Sequence, residues 1–282
     1  MAEVGITTLI FIIANIFCSL QGLSDRSSFE RNNFDIDKIY FQKDYKRLVT
    51  SSFFHVSGIH LILNMATLCF FSGGIELQLG EAKYLFIYFA SLVGGNLFSL
   101  FIYRNRRDYT AAVGASGGVS GIIFATIVLY PGFEIGFLGT HFPIPAWFYG
   151  FMYVLFSIYG IKSKKDNIGH EAYLAGGLAG LIIAVVMQPS ILATNYLTIL
   201  AVAIPTVFFI FITVTMPRFI MIGNKYFDDK KNSSKTKLAF YAEGVDHEQE
   251  IDFILEKIHQ NGIESLTNLE KEKLDYYSKI IQ

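Results

Sequence analysis

Residues 111–121 read AAVGASGGVSG and lead directly into the apolar run IIFATIVLY, residues 122–130. Ser116 thus stands among glycines and alanines at the mouth of an apolar segment. Two readings are open. Small residues let membrane helices approach closely, and a serine among them is commonly a packing contact. The same surroundings suit a nucleophile, because the first N–H groups of a helix are unpaired and small neighbours let a substrate carbonyl come near. What lies at the same membrane depth in the other helices decides between them.

The chain has 282 residues, of which 52% are hydrophobic and 17% charged, with a net charge of −1. A soluble domain carries about 25% charge. The apolar residues gather into seven runs, near 4–22, 58–77, 83–103, 115–131, 144–161, 171–188 and 191–216. A bilayer-spanning helix needs about 20 residues, so the expected fold is all-α and polytopic, with membrane lipid as its surroundings. The first run is read as a span, because no basic residue precedes it as in a signal peptide. Cys18 and Cys69 fall inside apolar runs and are read as packing residues, with no disulfide framework. The charge balance gives no footprint for nucleic acid. No His/Cys/Asp cluster has ligand spacing, so neither metal nor cofactor is expected.

Segment 23–57 is polar and mixed, too long for a tight turn, and reads as a structured loop of short interfacial helices. Three domains are expected: a transmembrane domain over 1–222, a polar linker over 223–245 containing NKYFDDKKNSSKTKL, and a soluble helical hairpin over 246–282. Asp246 with Gln249, and Thr267 with Glu270, have the spacing of helix-start capping pairs. Ile251, Ile254, Leu255 and Ile258 repeat at helical spacing, as do Leu269, Leu274 and Tyr277, and Asn261-Gly262 breaks the two helices. Regulation, binding of an unknown partner, and a solubilising tail are all open roles for it.

Strongly polar residues inside a span are costly and mark function by default. His60 and Asn64 lie in the first turns of the second span, Ser116 at the start of the fourth, and His170 and Tyr173 at the start of the sixth. Spans alternate in direction, so even-numbered spans begin on one side. These residues therefore converge at similar depth below one membrane face. His60 and Asn64 are i, i+4 on one helix face and can aim two donors into one cavity. Donors at a developing oxyanion are a large catalytic term, and a histidine within reach of Ser116 is a candidate general base. A transporter or channel fits less well, because such sites sit near the midplane at broken helices.

The sequence resembles the rhomboid family of intramembrane serine proteases over roughly residues 40–190. The likeness is carried by YKRLVTSSFFHVSGIHLILNM at 45–65, GGIELQLG at 73–80, GASGGVSG at 114–121 and GHEAYLAGGLAG at 169–180. It implies a six-helix rhomboid core with a seventh helix added. It further implies Ser116 as nucleophile, His60 and Asn64 at the oxyanion, and Arg47 within a membrane-embedded first loop. Gly176 and Gly180 would bring the sixth span close to the fourth. The carboxy-terminal hairpin resembles one appended to some bacterial members, which implies a bacterial inner (plasma) membrane.

One position departs from the family. The catalytic histidine stands three residues before the first glycine of the sixth-span G-x-x-x-G, and here that residue is Tyr173. A phenol titrates near 10 and is a poor base at neutral pH. His170 lies three residues earlier, about 4.5 Å along the helix axis, and is the candidate base in its place. A lesser departure is Ser120, where many relatives carry an aromatic that packs on the catalytic ring. The expected function is therefore a serine endopeptidase acting in or near transmembrane segments of protein substrates. The alternative is a catalytically impaired member that binds transmembrane clients. The loops on the Ser116 side carry most of the Lys and Arg, in 26–47, 104–107 and 162–165. The positive-inside rule turns that face to the cytoplasm, whereas bacterial members of the family generally open outward.

Overall fold

A computed structural model describes residues 4–104, 110–111, 114–135, 144–163 and 170–215, and scattered positions between 254 and 274. Two compact units divide the chain, Met1–Met221 and Ile222–Gln282.

In the first unit seven apolar helices follow one another: α1 (Ile6–Ser24), α2 (Gly58–Leu79), α3 (Glu81–Tyr103), α4 (Ser116–Leu129), α5 (Ala146–Ser163), α6 (His170–Met187) and α7 (Tyr196–Thr215). Among the described residues five are long and apolar enough to cross a membrane, α1, α2, α3, α6 and α7. Helix α4 is the exception that matters. Its 14 residues are all buried, and they rise only about 21 Å against about 30 Å of hydrocarbon. A short helix enclosed by its neighbours has its ends below the membrane surface, and Ser116 is such an end. The apolar run expected over 191–216 divides in two. Ile191–Thr194 forms one turn, and Asn195 interrupts it by donating Nδ2–H to the Val128 carbonyl at 2.9 Å. That bond satisfies an otherwise open carbonyl in the last turn of α4.

Helix α4 crosses α6 backbone to backbone. A Cβ on Gly176 would collide with the Gly117 backbone, and one on Gly180 with the Gly121 backbone. Helix α3 meets α6 as closely, since a Cβ on Gly95 would stand 2.5 Å from the Ala172 carbonyl oxygen. Leu68, Phe71 and Ile75 of α2, Tyr84, Ile87 and Tyr88 of α3, and Ile122, Ile123 and Ile127 of α4 fill the core between these helices.

On the face away from Ser116, α1 is tied to α2 by one buried carboxylate. Glu76 accepts from Thr7 N at 2.9 Å, Thr8 N at 3.1 Å and Thr8 Oγ1 at 2.5 Å, so it caps the first turn of α1 from another helix. On the Ser116 face, segment 25–57 folds as short pieces. Arg26–Asn32 and Arg47–Thr50 are helical, and Phe34–Asp35 pairs antiparallel with Thr110–Ala111. Arg47 is buried and organises the loop, donating to Asp44 Oδ2 at 2.9 Å and to the Glu30 and Asn33 carbonyls at 3.1 and 2.9 Å. A second short pairing, Glu134–Ile135 with Ile144–Pro145, joins α4 to α5.

In the second unit, Ile254–His259 is helical, and Gly262 follows with φ +78°, a left-handed conformation that glycine adopts without strain. Thr267 and Glu270 form the capping box their spacing suggests: Thr267 N donates to Glu270 Oε2 at 2.7 Å and Glu270 N to Thr267 Oγ1 at 3.3 Å. Lys257 reaches the same carboxylate at 2.7 Å. The Lys257 ammonium, then the Thr267 N–H and hydroxyl, hold the Glu270 carboxyl down at about 2. Of the apolar repeat, Ile254 is buried and Leu255 is exposed, while Ile251, Leu269 and Tyr277 lie outside the described residues, as does the Asp246–Gln249 pair.

Candidate active site

Each expected site residue stands at the start of a helix on one face. His60 and Asn64 are in the first two turns of α2, whose N-cap Ser57 accepts from His60 N at 3.2 Å. Ser116 is the first residue of α4, and His170 the first of α6. These four, and Tyr173, are buried.

The Ser116 turn is bracketed on both sides. Before it, Gly114 has φ +60°, and a Cβ there would lie 3.0 Å from both His55 Cδ2 and His60 Cε1. Glycine is required at 114 twice over, by the left-handed backbone and by the close approach of two imidazoles. After it, Gly117 faces Ala172 and Gly176 of α6 across the glycine crossing. Helix α2 and helix α6 then meet directly: His60 Nε2 and the Tyr173 hydroxyl are 3.0 Å apart. The residue at the family's histidine position is therefore hydrogen-bonded to the expected oxyanion histidine.

A cavity of about 420 Å³ opens between α2 and α5. His60, Asn64 and Tyr173 line it, with Thr67 of α2 and Tyr149 and Tyr153 of α5. Ser116 and His170 are not on its wall. The glycines that flank Ser116 reach both neighbours, Gly114 against the His55–His60 pair and Gly117 against the start of α6. The His170 ring packs edge-on against Phe156, with centroids 5.5 Å apart, and tilts onto Tyr173 at 5.0 Å. Asn64 donates its Nδ2–H back to the His60 carbonyl at 3.0 Å, which fixes its amide.

Sequence reading missed three contributions. One is an aromatic from another helix: Tyr153 of α5 stacks on Tyr173 with centroids 5.9 Å apart and planes 23° apart. Ser120 supports it, its hydroxyl donating to the Ser116 carbonyl at 2.5 Å and lying 2.9 Å from the Tyr153 hydroxyl. The third is His55, fully buried beside His60 with ring centroids 5.0 Å apart. Its only sequence signal is its place five residues before His60, outside any helical periodicity. Burial, and then the neighbouring His60, push the His55 imidazole down to about 3, so it is neutral at physiological pH. Among the described residues no cluster of His, Cys, Asp or Glu has the geometry to hold a metal ion.

A Rhomboid domain model matches residues 42–190, and a family of unknown function (DUF6576) matches residues 239–280. RHOMBOID-like protein 12, mitochondrial, of Arabidopsis thaliana is 29% identical over 58% of this chain and 59% of its own length. Rhomboid-like protein 16, chloroplastic, of the same plant is 27% identical over 61% and 59%. Rhomboid-related protein 4 of Homo sapiens is 30% identical over 52% and 47%. The chain thus spans about three fifths of the length of the first two relatives. With multiple apolar helices and a domain match over more than half of its residues, this chain is an integral multi-pass membrane protein and belongs to the rhomboid family.

Proposed function

We propose that this chain binds transmembrane segments of client proteins in the α2/α5 cavity and is impaired in cutting them. The observation that carries this reading is the Tyr173 hydroxyl on His60 Nε2 at 3.0 Å. General-base catalysis needs a group whose pKa lies near the working pH, and a phenol near 10 cannot take the Ser116 proton at neutral pH. The Tyr173 side chain is also held in place, stacked on Tyr153 and bonded to His60. What remains is a wall suited to a helical guest: apolar Ile59, Leu63, Met152 and Phe156, with a few polar groups from His60, Asn64 and Thr67 to meet a locally unwound backbone. The Lys and Arg distribution supports a cytoplasmic opening, and the hairpin's likeness to bacterial members supports the bacterial plasma membrane.

A second reading keeps hydrolysis, with Ser116 attacking the carbonyl, His60 and Asn64 holding the oxyanion, and His170 as base. It is favoured by the position of His170 one turn from Tyr173, in ring contact with it at 5.0 Å. The test incubates purified protein in detergent with a fluorescent transmembrane peptide. The proposed function predicts saturable binding that survives Ser116→Ala and leaves the peptide whole. Cleavage that Ser116→Ala and His170→Ala each abolish would establish the second reading instead, since nucleophile and base act as a unit.

A further inference from the structure

We propose that His55 is a positioning residue for the Ser116 turn, locked in its Nδ1-protonated tautomer by Ser19 of α1 so that its bare Nε2 holds the Ala115 N–H. The inference rests on reading Ser116, His60 and Tyr173 as one site.

The hydrogen-bond chain has one direction. The Ser19 hydroxyl donates to the Phe53 carbonyl at 3.0 Å. Its proton is thereby committed, and its oxygen, 2.8 Å from His55 Nδ1, can only accept. Nδ1 therefore carries the imidazole proton, and Nε2 carries a lone pair. Ala115 N lies 3.4 Å from that Nε2 and donates to it. In a neutral histidine the bond made by one nitrogen sets the state of the other, so a hydroxyl on α1 determines whether the turn before α4 has an acceptor to hold it.

Two consequences reach the site. The Ala115 N–H is committed to His55, which leaves the N–H groups of the first turn of α4 as the backbone donors near Ser116. The same imidazole packs edge-on against His60, planes 72° apart, while Gly114 lies against both rings. His55 thus fixes the Ser116 turn and the His60 ring relative to each other. Its burial and its depressed basicity keep it neutral, as an acceptor role requires.

Two conservative variants separate positioning from packing. His55→Gln places an amide oxygen near the Nε2 position and keeps an acceptor for Ala115. His55→Asn reaches only the Nδ1 position and keeps a partner for Ser19. Amide hydrogen exchange at Ala115, read on the full chain in detergent, reports the bond directly. We expect exchange to accelerate about tenfold in His55→Asn, as loss of about 1.4 kcal/mol implies, and to stay near wild type in His55→Gln. Equal acceleration in both variants would overturn the proposal. Nitrogen-15 NMR of His55 in the wild type needs no variant: a protonated Nδ1 with a bare Nε2 is expected, and a protonated Nε2 would overturn it. Neither readout uses a client or a serine probe, so the client-binding reading can fail while this one holds, and the reverse.

Discussion

Helices α4 and α6 meet through glycine backbones with no room for a methyl group, whereas α2 and α5 stand apart around a cavity of about 420 Å³. The two seams share one site, yet they are built for opposite ends. The tight seam fixes the start of α4 against the start of α6, so Ser116 and Tyr173 keep one relative position. The open seam is bridged by a polar contact, Thr67 Oγ1 to the Tyr149 hydroxyl at 2.7 Å, and much of its lining is apolar. On the proposed client-binding reading, holding the site still and admitting a guest helix are tasks of different helix pairs.

The comparison can be broken most severely at its tight side. Gly180→Leu would drive a side chain into the Gly121 backbone, which cannot yield as a flexible side chain can. We expect a loss of about 3 kcal/mol or more, read as a collapse of the thermal unfolding midpoint in detergent. Removing the clasp on the far face comes next. Glu76→Ala leaves three donors of the α1 start without their acceptor, and unfolding should cost roughly 2 kcal/mol less.

The His55 latch gives a pH test. Its folded pKa, about 3, lies below the ordinary 6.5, so the unfolded chain binds the extra proton and stability falls as pH falls below 6.5. Between pH 7 and pH 5 wild type should lose between about 1 and 2 kcal/mol more than His55→Gln, by unfolding at each pH. Titration of the carboxylates, common to both proteins, drops out of that difference. The smallest effect belongs to the open seam. Thr67→Val removes its polar contact, should change stability by less than about 1 kcal/mol, and should speed association of a transmembrane peptide.

The fold was legible because span length and alternation of direction are properties of the chain alone. Counting spans brings His60, Asn64, Ser116 and Tyr173 to one face, and the G-x-x-x-G at Gly176 and Gly180 marks the close crossing. The rest depends on contacts between helices that no local pattern encodes. Tyr153 sits 20 residues before Tyr173 and stacks on it only because α5 packs beside α6. Glu76 reads as a polar residue near a helix end until α1 is set against it. Depth follows from sequence, but which helices wall the cavity follows from packing, which sets Tyr149 and Tyr153 of α5 opposite His60 and Asn64.

The central claim is that the base, and not the nucleophile or its surroundings, is what this site lacks. Labelling by a fluorophosphonate, which reacts with activated serines, tests it most directly when wild type, Tyr173→His and Tyr173→His/Ser116→Ala are compared in the same membranes. The account predicts an inert wild type, strong labelling of Tyr173→His, and none once Ser116 is removed. Labelling of wild type as strong as that of Tyr173→His would contradict it.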